Sequence, residues 1–167
     1  MFQTVKGFLR VWEYETAVTG RLLAQLTDGA LRQPMAPGQW DLGGVAWHLV
    51  TAVQAMTACT ALRFAAPEHG KPVPESARLI VGQYNQMATS FAEALRVQWQ
   101  DEDLLRVIDF FGQQMRIGNL LFFLLQHQTH HRGQLTVLMR QAGLPVPGVY
   151  GPSKEEWAAR GMQDPNL

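Results

Sequence analysis

The chain has 167 residues, 47% of them hydrophobic, with 14 basic and 14 acidic side chains and no run of like charge. That length suits one domain with a packed core, 1–167, rather than two, and the even charge balance leaves no electrostatic footprint for a phosphate backbone, so nucleic acid is excluded as an expected partner. The single cysteine, Cys59, forms no internal disulfide, and the opening MFQTVKGFLRVWEYE carries charges where a signal peptide has an apolar stretch, which predicts the cytoplasm.

The first element puts Val5, Phe8, Leu9, Trp12, Leu22, Leu23 and Leu26 mainly on one side of a helix that Asp28-Gly29 is expected to close. Asp41 suits the cap of a second helix, with Val45, Leu49, Ala52, Met56 and Cys59 as its buried stripe and an end before Pro67. His48, Ala52 and Ala55 lie beside that stripe. A third helix is predicted from about Pro74-Glu75; its stripe, Ile80, Tyr84, Met87, Phe91 and Leu95, has a clean helical period, and Arg78, Gln86 and Glu93 mark its polar face.

Between 100 and 119 the helical period lapses, and RVIDFFGQQMRI has the residues of a short hairpin, or of an irregular cover, around Gly112. The fourth helix is expected from about Asn119 to about Gln141, stopped by Gly143 and Pro145. SKEEWAAR makes a short fifth, with Ser153 and Glu156 as a capping box and Gly161 as its end. Four long helices without a strong run of strands predict an all-α fold, a four-helix bundle with a short C-terminal helix. The longest apolar block, residues 120–125, is far shorter than the roughly 20 residues that span a bilayer, so no membrane crossing is expected.

On the fourth helix, at 100° per residue, Leu120, Leu124, His127, His131, Leu135 and Leu138 fall within about 80° of one another. Two imidazoles therefore point into the core. At i and i+4 they lie about 6 Å apart along the axis, so both reach a single metal ion at about 2.0–2.1 Å. A buried histidine also simply hydrogen-bonds a carbonyl, and that reading stays open here, although each ring would need its own buried partner. His48 is the other histidine on an inner helix face and the candidate third ligand, because His69 falls in a Pro/Gly-rich loop.

His130 competes with His131 at the i+3 position but sits about 60° from His127, away from the leucines, and is assigned to the surroundings of the ligands or to the surface. Gln134, about 20° from His127, is placed to orient a ligand or substrate, or else to make a helix-packing hydrogen bond. Arg132 points away from the stripe and reads as half of a surface ion pair. Cys59 lies about 16 Å along the axis from His48, too far to share its ion, and reads as core packing. In the zinc-protease HExxH a glutamate follows the first histidine as general base; Gln128 occupies that place and disfavours a protease.

The run HQTHHRGQLTVLMRQAG at 127–143, with WDLGGVAWHL at 40–49 ahead of it and GVYGPSKEEW after it, resembles the DinB-like (DinB/YfiT) family over nearly the whole chain. The resemblance implies an up-down-down-up order of the four helices, frequently a homodimer, and zinc or nickel held by residues matching His48, His127 and His131. It also implies a reaction class: relatives with assigned reactions attach a low-molecular-weight thiol such as mycothiol or bacillithiol to an electrophile, or use it in isomerisation.

Three neutral imidazoles leave the charge of a divalent ion uncompensated and a coordination position open, as in catalytic sites. Such an ion lowers the pKa of a bound water and deprotonates a bound thiol. The expected function is therefore that of a metal-dependent enzyme, a thiol transferase or hydrolase acting on a small electrophile, with no general acid or base named by the sequence. The alternative is a non-catalytic module that binds a metal or small molecule. LLFFLL, apolar around the whole helix, predicts cover by residues 100–119 or by a symmetric second subunit.

Overall fold

A computed structural model describes residues 2–163. Helix α1, Val5–Leu23, begins where the Thr4 hydroxyl accepts from the Gly7 N–H at 3.0 Å. Helix α2, Leu42–Thr57, begins under Asp41, whose carboxylate accepts from the Gly44 N–H at 2.7 Å. Helix α3, Ala77–Gln98, begins under Ser76, whose hydroxyl accepts from Leu79. In each case a short polar side chain on extended backbone satisfies a donor that the first turn leaves free. Helix α4, Ile117–Gln141, ends at Gly143, where φ is +71° and the Leu144 N–H reaches back to the Met139 carbonyl at 2.9 Å.

Two strands precede α4 directly: β1, Val107–Phe110, and β2, Gln113–Arg116, antiparallel with Ile108 opposite Met115 and Phe110 opposite Gln113. Their two-residue turn has positive φ at both Phe111 (52°) and Gly112 (79°), the backbone twist that such a hairpin needs. Asp109 braces it by accepting from the Gly112 N–H at 3.0 Å. The chain is thus mostly helical with a small two-stranded sheet. The all-α expectation gives way at 107–116, where Ile108 and Phe110 alternate inward as strand residues do.

Two expectations are corrected. Helix α1 closes at Leu23, and Asp28 belongs to a separate 3-10 turn, Asp28–Ala30; its carboxylate accepts from the Ala77 N–H at 2.7 Å and so serves the start of α3. Leu26 stays buried without being helical, which is why the apolar spacing overran the helix. Cys59 is exposed, because α2 gives way to a 3-10 turn, Ala58–Thr60, whose tighter winding turns Thr60 inward instead. The stretch Leu42–Thr60 has the length and apolarity of a membrane span, but 67% of it is buried inside the protein, as befits a core helix.

The four long helices share one core. Phe8 and Trp12 of α1 pack on Phe91 of α3, with ring centroids 6.1 and 5.0 Å away, and the Trp12 indole donates to the Ala88 carbonyl at 3.1 Å. The stripe of α3, Ile80 to Leu95, is buried as its period predicted. At the start of α4, a Cβ on Gly118 would stand 2.5 Å from the Phe2 carbonyl oxygen, so glycine is what lets the N-terminal segment lie against α4. The leucines of LLFFLL are buried, while Phe122 and Phe123 remain 37% and 43% exposed; Phe110 of the hairpin reaches Phe123 edge-on at 5.8 Å. Helix α5, Lys154–Trp157, completes the fold, its Glu156 carboxylate tying down the preceding loop through the Gly148 N–H at 2.9 Å.

Candidate metal centre

Helices α2 and α4 pack against each other, and one hydrogen bond sets their register. The buried Gln128 side chain donates to the Leu49 carbonyl at 3.0 Å. Those two residues adjoin His127 and His48, so the bond brings the two histidines level. Gln128, at the place of a protease general base, is therefore a clamp between helices.

His48 from α2 and His127 and His131 from α4 converge on one point. The Nε2 atoms of His48 and His127 are 3.3 Å apart, those of His127 and His131 are 3.2 Å apart, and one ring nitrogen from each residue lies within 4.8 Å of the other two. Nitrogens at about 2.0–2.1 Å from a tetrahedral ion are separated by about 3.3–3.4 Å, so both contacts match two ligands of one ion.

The electrostatics agree with that geometry. Burial, reinforced by the neighbouring imidazoles, lowers His48 and His127 from 6.5 to about 4. His131 is also lowered by burial, against the opposing effect of its hydrogen bond to the Gln134 amide oxygen. All three rings are neutral at pH 7, and a ring that carries its proton on Nδ1 turns its Nε2 lone pair towards the others. A shared cation is the species that relieves this crowding. The residues fit a divalent ion, and the donor set is three imidazoles, which suits zinc, nickel, copper or iron.

The surroundings are asymmetric. Trp40, 50% exposed on the loop before α2, stands with its ring 5.0 Å from His48 and 5.9 Å from His131, forming a wall beside the cluster. The Nδ1 of His131 contacts the Gln134 amide oxygen at 2.7 Å, and the Gln134 amide nitrogen contacts Nε2 of the exposed His130 at 3.3 Å. His130 is thus linked to the cluster through Gln134 and not brought into it. His69 is exposed in the 58–76 connection and adds only the weakest of the influences on His48.

Arg132 overturns the expectation of a surface ion pair. Its side chain is 1% exposed and binds the Glu15 carboxylate and the Tyr150 hydroxyl, with further bonds to the Glu15 carbonyl (3.0 Å), Thr129 (2.9 Å) and Thr19 (3.3 Å). Tyr150 donates in turn to Glu15 at 2.8 Å. The face of α4 away from the histidines is covered by α1 and by the segment after Gly143, so pointing away from the leucine stripe does not mean pointing to solvent. A signal for this was present: Glu15 and Thr19 lie on the same face of α1 as Trp12 and Leu22, two polar side chains inside an apolar stripe.

Comparison with known proteins places the chain in a family. The sequence profile of the DinB family matches residues 1–164. An uncharacterised protein of Bacillus subtilis strain 168, YrdA, is 52% identical over 167 residues, the whole of both chains. The crystal structure of a DinB-like protein from Bacillus cereus ATCC 10987 superposes with a TM-score of 0.87 at 51% identity, covering 90% of this chain and 100% of the other. A second DinB-like protein, YjoA of B. subtilis, shares the fold at 21% identity and a TM-score of 0.65, over 83% of this chain and 95% of its own.

Proposed function

The chain belongs to the DinB family, and on that premise we propose that it is a metal-dependent enzyme that holds one divalent ion, zinc or nickel, through His48, His127 and His131. The observation that carries the reading is the convergence of three neutral imidazole nitrogens at ligand spacing. An ion held there supplies a Lewis acid that lowers the pKa of a bound water or thiol. Its uncompensated charge favours an anion, and the substrate proposed is a low-molecular-weight thiol transferred to a small electrophile or used in isomerisation.

The protein's own residues do the rest. Gln128 keeps α2 and α4 level, so that the ligands do not part. Trp40 narrows the approach and offers a flat apolar face to an electrophile. The four long helices read as the up-down-down-up bundle of the family: Trp12 of α1 meets Ala88 of α3, Leu49 of α2 meets Gln128 of α4, and the long connection 58–76 suits parallel neighbours α2 and α3. We assign the protein to the cytoplasm as a homodimer; the half-exposed Phe122 and Phe123 support the dimer, and a monomer mass independent of concentration would overturn it.

The test is the metal content of untagged protein beside His131→Ala and His130→Ala, followed by turnover with cellular thiols and electrophiles such as chlorodinitrobenzene or maleylpyruvate. About one ion per chain, lost in the first variant and kept in the second, with turnover that vanishes in His127→Ala, is the expected result. Tight binding of metal or thiol without turnover favours a binding module instead. No metal in the wild type after loading overturns the metal-dependent reading.

A further inference from the structure

We propose that Gln134 is the positioning residue of this centre: its amide oxygen, oriented by His130, holds His131 with the proton on Nδ1 and so leaves Nε2 free for the ion. The inference rests on the three-histidine reading above. A neutral imidazole has one donor and one acceptor nitrogen, and the partner of one nitrogen decides the state of the other. At 2.7 Å from Nδ1, the Gln134 oxygen accepts only, which puts the proton on Nδ1. The reversed amide would offer its NH2 group to Nδ1, and the proton would move to Nε2, between His131 and His127.

His130 suits the first orientation while its own proton sits on Nδ1. Its Nε2, 3.3 Å from the Gln134 nitrogen, accepts from the amide NH2 and would face an acceptor if the amide turned over. This gives the exposed His130 a role without making it a ligand. Packing does not account for the arrangement, because Gln134 and both of its partners lie on α4, so these bonds join no two helices. His127 lacks equivalent support: its Nδ1 is buried without a hydrogen-bond partner. The Nδ1 of His131, unlike that of His127, therefore has a side chain that sets its state.

The experiment compares wild type, Gln134→Leu and Gln134→Glu. In metal-free protein, nitrogen-15 NMR of the imidazoles reads the tautomer of His131: Nδ1–H in the wild type and in Gln134→Glu, shifted towards Nε2–H in Gln134→Leu. Zinc affinity, by chelator competition, falls about 10–100-fold in Gln134→Leu, as for other residues that orient a ligand, and Gln134→Glu restores it. The metal-free melting temperature stays unchanged in both variants. A wild-type tautomer in Gln134→Leu with undiminished affinity overturns the proposal. If the wild type binds no zinc while the tautomer still changes in Gln134→Leu, the metal reading fails and the hold of Gln134 on the ring stands.

Discussion

Two polar clusters lie back to back on α4, and their anchors, His131 and Arg132, are adjacent in the chain. Arg132 is buried with its charge met by a carboxylate, a phenol and two threonines. His131 is one of three neutral rings whose Nε2 atoms crowd together, 3.3 Å apart for His48 and His127 and 3.2 Å for His127 and His131. A buried charge paired with a carboxylate and held by hydroxyls is a strut, costly to break and inert when whole. A set of acceptors aimed at a common point is a site, stable enough alone and completed by a ligand. Two residues of one helix turn thus have opposite chemistry because different elements cover their faces.

Breaking the strut gives the largest effect. Arg132→Met leaves the partly buried Glu15 carboxylate without its cationic partner and is expected to cost about 3–5 kcal/mol, read by urea denaturation and equal with or without metal. His131→Ala is expected to cost far less in the metal-free protein; equal losses would erase the distinction between strut and site.

Acidification comes next, acting on the histidine side. The folded values of His48 and His127 lie near 4, below the unfolded value of 6.5, so between these limits the unfolded chain binds more protons. Stability of the metal-free protein is therefore full above pH 6.5 and declines as the pH falls to about 4, and the decline is shallower in a His48→Ala/His127→Ala variant. A pH profile unaltered by the double substitution would contradict the assignment.

Metal sharpens the contrast further. At a free ion concentration of 100 times Kd, the wild type gains about 2.7 kcal/mol, a gain that chelation reverses and that Arg132-side variants retain. The smallest expected effect is that of Tyr150→Phe, which removes one hydroxyl from the strut and costs about 1 kcal/mol, with metal affinity unchanged.

Much of the site was legible before folding because it rests on local periodicity. A helix repeats every 3.6 residues, so His127 and His131 had to share a face with Leu124 and Leu135, and the cap at Asp41 fixed the phase of the helix that carries His48. Gln134 was likewise placed near the rings by angle alone. Where the period ended was less legible: Leu26 is buried outside any helix, and Cys59 turned outward when α2 tightened into a 3-10 turn.

The sequence by itself determined the four long helices, the face of each that is apolar and the histidines on those faces, since all of these follow from short-range spacing. Tertiary structure alone decided that Arg132 is interior, because its burial depends on α1 and on Tyr150, residues 117 and 18 positions away. It also decided that Gln128 clamps α2 to α4 across 79 positions. Contacts between distant segments depend on how whole elements pack, and no local period encodes that.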